Sequence, residues 1–447
     1  MVKVITYGTY DLLHYGHIRL LERARALGDY LIVGVTSDCF DRSRGKINVQ
    51  QTLIERIEAV KATGLADEIV VEEYEGQKID DIRRLGIDIF TVGSDWEGHF
   101  DYLNEYCRVI YLDRTQGISS SEIRSENREI RLGLVGEAPF LNKFERESHY
   151  VNGVKIVGLC SSNLCLLESS LTKLPIVTEQ LDILLNNVDA LYVISSPPNH
   201  YRQIKKALEY HKHVLCESPI ALSKIEYEEL RKMAERNNCI LTDAIRTSFS
   251  AAYHQMLLLV KSGVIGDVVS VDSICTSLRN VESPNPKKYD NKWNSICSWG
   301  PVALLPILQI LGMSYKKKYI TTKIEDENNM YDTFTKIAFV YDNSVASLKV
   351  GNGAKSEGEL IISGTKGYVY VPAPWWKTDY FEIRYENPSD NKRYFFQLDG
   401  EGIRNELVAF VKAIETGNTE DLIDLKTSLN IISIIEDYYN KVDFIKL

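Results

Sequence analysis

From Met1 to about Ile123, short apolar runs rich in β-branched residues alternate with stretches whose apolar positions recur at helical spacing. Val2–Tyr7, Tyr30–Thr36, Glu68–Val71, Asp88–Val92 and Arg108–Leu112 read as strands, and His17–Leu27, Leu53–Ala62 and Gln77–Leu85 as helices. Alternation of this kind predicts a parallel sheet covered on both faces. Ser125–Ile130 is polar and charged, a join, after which a second alternating series begins with Arg131–Val135, Lys155–Cys160, Ala190–Ser195, His213–Glu217 and Cys239–Asp243. Past Ile245 the rhythm changes. One helix, Ala251–Lys261, precedes strand-like segments at Val268–Thr276, Thr335–Tyr341, Val345–Val350, Glu359–Ser363 and Tyr368–Val371, and helices at Glu401–Glu415 and Leu425–Lys441 close the chain. Strands in series without intervening helices favour an open-faced antiparallel sheet. The expected fold class is α/β, in three parts: a Rossmann-like domain at 1–126, a second Rossmann-type unit at 130–245, and an α+β domain with an open antiparallel sheet at 246–447.

The chain has 447 residues, 44% hydrophobic and 26% charged, which excludes a disordered or low-complexity chain and suits several cores. Lys and Arg number 52 against 62 Asp and Glu, so the net charge of −10 repels a phosphate backbone over most of the surface. Nucleic acid and anionic membranes are therefore not expected partners, and any phosphate site must be local. The eight cysteines are dispersed, with no CxxC pair, and read as reduced thiols. Met1–Tyr7 lacks the basic and apolar stretches of a signal peptide, and Val302–Met313 is too short and interrupted to span a bilayer, which leads to the expectation of a cytoplasmic protein.

The strongest local signal is Gly8-Thr9-Tyr10-Asp11-Leu12-Leu13-His14-Tyr15-Gly16-His17, between the first strand and the first helix. Two histidines at a helix N-terminus can both face a ligand there, while the helix dipole and its unpaired amides favour an anion. Gly16 lets the backbone approach a phosphate closely. The structural alternative is that His14 and His17 cap and pack against the helix; their place at the carboxyl end of a parallel strand favours a ligand site. A second anion signal follows the last strand of this part, at Arg114-Thr115-Gln116-Gly117-Ile118-Ser119-Ser120-Ser121-Glu122. Hydroxyls and amides at a helix start, preceded by an arginine, suit the outer phosphates of a nucleotide, and Ser119 with Glu122 also forms an ordinary capping box. Lys46, in a polar loop, could reach the same site.

With Gly93-Ser94-Asp95-Trp96-Glu97-Gly98, these two segments resemble the glycerol-3-phosphate cytidylyltransferase family of the nucleotidyltransferase superfamily, over nearly all of Met1–Ile123. The resemblance implies attack of a polyol phosphate on the α-phosphate of CTP, expelling pyrophosphate without a covalent enzyme intermediate, to make CDP-glycerol or a related product for cell-wall (teichoic acid) or capsular polymers. It implies that His14 and His17 match the HxGH pair, with Lys46 and Arg114 as further catalytic cations. Thr9, Tyr10, Asp11, Gly16, Asp95, Trp96, Thr115, Ser119 and Ser120 fall to nucleotide binding, and Asp11 to a divalent cation such as Mg2+ on the triphosphate. One departure stands out: Gly64 occupies the place of the family's arginine in Arg-Tyr-Val-Asp-Glu-Val, which bears on base preference.

Beyond residue 130, Ile194-Ser195-Ser196-Pro197-Pro198-Asn199-His200 and Lys212-His213-Val214-Leu215-Cys216-Glu217-Ser218-Pro219 resemble the Gfo/Idh/MocA oxidoreductases, a likeness that continues through Gly263 to Asp267. The functional positions of that family are altered. The dinucleotide turn reads Gly136-Glu137-Ala138-Pro139, and Ser161 stands where an acidic residue would hold a ribose. Ser218 replaces the proton-transferring lysine, and Leu304 and Leu308 replace an aspartate and a histidine. His200 and His213 match structural or pocket positions. The reading is an oxidoreductase fold retained without its chemistry, binding no NAD(P) and serving homo-oligomerisation or ligand binding. The alternative is a bifunctional enzyme that also reduces or oxidises the activated polyol.

Overall fold

The computed structural model describes residues 1–43, 49, 51–74, 76–113, 129–278, 293–377, 379–396 and 398–447. These residues cluster into two compact units, Met1–Glu129 with Tyr150–Gly153, and Ile130–His149 with Val154–Leu447.

The first unit is built on five parallel strands, β1 (Lys3–Gly8), β2 (Tyr30–Thr36), β3 (Glu68–Glu72), β4 (Ile89–Gly93) and β5 (Arg108–Leu112), in the spatial order β3-β2-β1-β4-β5. Order reverses at β1, whose neighbours are β2 and β4, so its carboxyl end is the topological switch point where ligands bind in such sheets. Val4, Ile5, Leu31, Ile32 and Val33 are fully buried, as both-face coverage demands. The helices are α1 (Tyr15–Arg25), α2 (Asp38–Ser43), α3 (Leu53–Ala62) and α4 (Gln77–Leu85). A capping box of Thr52 and Glu55 starts α3. Gly34 has a spatial reason: a Cβ there would lie 2.1 Å from the Tyr7 ring, so only glycine lets that ring cross β2.

The second unit carries two sheets. Six parallel strands, β6 (Ile130–Val135), β7 (Val154–Cys160), β8 (Ile176–Thr178), β9 (Ala190–Val193), β10 (His213–Glu217) and β11 (Leu241–Ala244), run in the order β11-β10-β9-β6-β7-β8. Between them lie α5 (Phe140–Ser148), α6 (Ser169–Thr172), α7 (Leu181–Leu185), α8 (Pro197–Glu209) and α9 (Lys224–Arg236). Then come α10 (Ala251–Lys261), β12 (Val268–Thr276), α11 (Ser295–Leu311), β13 (Lys317–Asp326), β14 (Tyr331–Val340), β15 (Val345–Gly351), β16 (Leu360–Gly364), β17 (Tyr368–Val371), β18 (Tyr380–Arg384) and β19 (Lys392–Phe395). Two helices, α12 (Ile403–Thr416) and α13 (Leu425–Tyr439), lead to β20 (Phe444–Lys446).

The third sheet corrects one expectation. It is mixed: most neighbours are antiparallel, but β12 pairs parallel with β15 and β13 parallel with β20. A parallel pair needs a long crossover, and α11 lies in the connection between β12 and β15. Its Pro301 and Pro306, both buried, mask the helical pattern in the sequence. No helix among the described residues is long and apolar enough to cross a membrane.

Candidate functional site

At the end of β1 the chain enters a tight arc before α1. Tyr10 (φ 53°) and Leu12 (φ 47°) both lie in the left-handed region that non-glycine residues avoid. Such strain persists only where the surroundings over-determine it, and here the bonds come from the start of α3. Arg56, fully buried, donates from Nη1 to the Thr9 carbonyl (2.7 Å) and the Thr36 carbonyl (2.8 Å), and pairs with Asp38 and Asp41. Asp41 in turn accepts from the Thr9 hydroxyl at 2.9 Å. The Gln51 amide N–H donates to Asp11 Oδ1 (3.0 Å), while its side-chain oxygen accepts from Leu12 N (2.7 Å). One buried guanidinium thus ties the ends of β1 and β2 to α2 and α3.

The arc delivers His14 to the N-cap of α1, where Nδ1 accepts from Gly16 N at 3.1 Å. An accepting Nδ1 carries no hydrogen, so a neutral His14 holds its proton on Nε2 and is a donor there. The His14 and His17 rings stack with centroids 3.9 Å apart, and the buried Tyr10 ring meets His17 edge-on at 5.4 Å. Two imidazoles therefore converge at the N-terminus of an eleven-residue helix at the switch point of the sheet. Capping and convergence hold at once.

Beside this arc is a small cavity of about 50 Å³ lined by Thr9, Thr36, Glu72, Lys78, Trp96 and Phe100, among others. Lys78 Nζ sits 4.8 Å from the Tyr7 ring centroid and 5.4 Å from that of Phe100, and pairs with the buried Glu72. Tyr7 donates to Asp81 at 2.9 Å, and burial together with that carboxylate raises its pKa, keeping it protonated. Trp96 is partly exposed at the rim, and Asp95 belongs to the short turn Ser94–Trp96.

Of the residues expected from sequence, His14, His17, Tyr10, Asp11 and Gly16 thus lie on or beside one arc, and Thr9 shares a cavity with Trp96. Lys46, Arg114, Thr115, Ser119 and Ser120 lie outside the described residues. Asp11 is buried with one oxygen bonded to the Gln51 amide, and among the described residues no group of three or more His, Cys, Asp or Glu could hold a metal ion. The donor set suits a cation carried mainly by phosphate oxygens with one carboxylate beside it. Gly64 follows α3 with φ 66° and open space at its Cβ, so it ends the helix where a side chain was expected. Arg56, Gln51, Glu72 and Lys78 were not anticipated.

In the second unit, Gly136 (φ 142°) makes the turn after β6, with a Cβ forbidden by the Ile194 backbone at 2.9 Å. Glu137 in that turn accepts from Ser162, just beyond β7, and Ser161 donates to the Asn163 carbonyl. Ser218 is buried, and Leu304 and Leu308 pack in the core of the third sheet. His200 is fully buried with each ring nitrogen 2.8 Å from a backbone carbonyl, of Pro219 and Ser195, and His213 Nδ1 accepts from Ile240 N. Sequence reasoning missed a charged cluster here. Glu217 accepts from Tyr192 Oη (2.5 Å) and lies 3.7 Å from Arg246, whose guanidinium covers the Phe140 ring at 4.1 Å. Glu406 is fully buried, neither oxygen has a hydrogen-bond partner among the described residues, and burial with the nearby Glu217 pushes its carboxyl well above the usual range.

Comparison with known proteins divides the chain in the same place. Residues 5–126 match the cytidylyltransferase-like family and residues 130–244 the oxidoreductase family with an NAD-binding Rossmann fold. The first part is 49% identical over 126 residues to a glycerol-3-phosphate cytidylyltransferase of Bacillus spizizenii, covering 28% of this chain and 97% of that protein. It is 48% identical over the same length to one of Staphylococcus aureus, covering 28% and 95%. Among solved structures, a 3-ketoreductase from Actinomadura kijaniata in complex with NADP and TDP-benzene superposes with a TM-score of 0.62 at 17% identity, covering 72% of this chain and all of that one. That likeness is of fold.

Proposed function

Through its first 126 residues this chain belongs to the glycerol-3-phosphate cytidylyltransferase family, and from that premise we propose that it transfers CMP from CTP to glycerol 3-phosphate or a close polyol phosphate. A phosphate oxygen of the acceptor attacks the α-phosphorus of CTP, the bond to the β-phosphate oxygen breaks, and pyrophosphate leaves. The observation that carries this reading is the stacked His14–His17 pair at the N-terminus of α1. Donors fixed before reaction stabilise charge on the transferring phosphorus without reorganisation cost. His14 Nε2–H and His17 serve that role, with Lys46 and Arg114 as further cations. Thr115, Ser119 and Ser120 hold the outer phosphates, Thr9, Tyr10 and Gly16 shape the cradle, and Asp95 and Trp96 are assigned to nucleotide binding. A divalent cation, with Asp11 beside it, would neutralise the triphosphate. Lys78, with its two aromatic walls, suits the acceptor's phosphate.

Three modules follow in this reading, 1–126, 130–245 and 246–447, the last two forming an oxidoreductase-like partner without redox activity that serves assembly or ligand binding. Ser218, Leu304 and Leu308 support it, since leucine carries no exchangeable side-chain proton and a serine hydroxyl is a poor general acid or base near neutral pH. So does Glu137, a carboxylate in the turn meant for a pyrophosphate. The match of residues 130–244 to an NAD-binding family favours the bifunctional alternative.

Incubation with CTP, magnesium and glycerol 3-phosphate should release pyrophosphate, and no turnover with any of a panel of polyol phosphates refutes the first proposal. Calorimetric titration with NADH and NADPH tests the second: saturable binding below millimolar concentration revives the bifunctional enzyme.

A further inference from the structure

The reacting imidazoles are held by a strained arc, and the element that fixes the arc is not on it. Tyr10 and Leu12 are both left-handed, which leaves the Leu12 N–H pointing away from any partner that regular structure would offer. Gln51 supplies the partner. Its side-chain oxygen accepts from Leu12 N at 2.7 Å, its own amide N–H reaches Asp11 Oδ1 at 3.0 Å, and its carbonyl accepts from Arg56 Nε at 3.1 Å. Arg56 closes the loop by donating to the Thr9 carbonyl at 2.7 Å. Asp11 and Leu12 are thus bonded to the residue just before the capped start of α3, Thr9 is bonded to Arg56 within that helix, and His14 follows Leu12 by two positions.

We infer that Gln51 is a positioning residue for the His14–His17 pair, a role that rests on the cytidylyltransferase reading. Two of its bonds are backbone bonds that any residue at 51 would keep. The Leu12 contact alone depends on the side chain, so substitution there isolates one bond. Gln51→Met keeps length and removes the acceptor. Gln51→Glu keeps an acceptor at the same reach and adds negative charge beside Asp11.

The experiment measures kcat, KM for CTP and the ring titrations of His14 and His17 by NMR in the full chain. Gln51→Met is expected to lower kcat on the order of 10- to 100-fold, as small misplacements of reacting groups do, with KM for CTP little changed. Its His14 titration should shift from that of wild type. Gln51→Glu is expected to recover most of the kcat and the His14 titration while raising KM for CTP. A general structural defect would lower the folded fraction without splitting kcat from KM and without rescue by the charged variant. An unaltered His14 titration in Gln51→Met overturns the inference whatever the turnover assay reads. A wild-type protein inactive with every polyol phosphate overturns the proposed function instead, and the titrations still decide the role of Gln51.

Discussion

Nδ1 of His14 accepts the amide hydrogen of Gly16 at 3.1 Å, so one imidazole both caps α1 and presents its other nitrogen as a donor. The two roles are separable by substitution. Asparagine also caps helices well, whereas alanine does not. His14→Asn is expected to melt close to wild type and His14→Ala to lose about 1 kcal/mol. Both should lose turnover by about 100-fold or more, the usual loss when a donor to developing charge is removed. Denaturant unfolding and a pyrophosphate-release assay check the pair. Full activity in His14→Asn would reduce His14 to a cap.

Lys78 is held between the Tyr7 and Phe100 rings and paired with Glu72, which is about 1% exposed. Its removal alone takes a cation from a buried carboxylate, a defect that commonly costs about 3–5 kcal/mol. The informative variant is therefore the double substitution Lys78→Met with Glu72→Gln, which removes both charges. We expect it to fold and to raise KM for glycerol 3-phosphate at least about tenfold, the worth of one charge-assisted contact, with KM for CTP nearly unchanged. Equal rises in both KM values would place Lys78 on the nucleotide instead.

Arg56 is expected to be the most stability-sensitive residue of the first unit. Arg56→Met takes a charge partner from Asp41, itself fully buried, and removes the guanidinium donor from the Thr9 and Thr36 carbonyls. Loss of about 3–5 kcal/mol follows if the buried pair behaves as others do, read as a drop in the urea midpoint. Arg56→Lys should recover only part, because a single ammonium cannot span acceptors on two strands and a carboxylate together.

These residues also mark what the sequence could and could not disclose. Strands such as Tyr30–Thr36 and Arg108–Leu112 were legible at their observed limits: burial on both faces makes the first an unbroken apolar run, and the second, at the sheet edge and only partly buried, is an apolar run that follows one exposed arginine. The histidine pair was legible because its members are local and lie in one turn. Arg56 and Lys78 were not, because a single cation in a helical pattern reads as a solvated face. Only contacts across 47 residues to Thr9, or six to Glu72, give each its role. Helix Ser295–Leu311 was hidden by its two prolines, and β13 by its lysines, of which Lys317 and Lys323 are exposed but Lys318 occupies a buried position that a sequence pattern reserves for an apolar residue. The parallel β12–β15 pair was illegible for a different reason: direction depends on which strands meet, which periodicity does not encode.

Glu406 sets the expected pH response of the second unit. Its carboxyl is pushed well above the ordinary 4.5, first by burial and then by the neighbouring Glu217, while Arg246 opposes. The folded chain therefore keeps this proton at pH values where the unfolded chain has released it. Stability attributable to Glu406 must then fall as pH rises above about 4.5, at up to about 1.4 kcal/mol per pH unit, until the folded carboxyl ionises. Glutamine has no proton to lose, so Glu406→Gln should match wild type near pH 4 and exceed it increasingly toward neutrality. Urea unfolding of the two proteins from pH 4 to 8, followed through the transition of the second unit, reads the difference directly. A constant offset across that range would mean that Glu406 is ionised in the folded chain, with Arg246 compensating its charge, and would remove the basis for a neutral acid in this cluster.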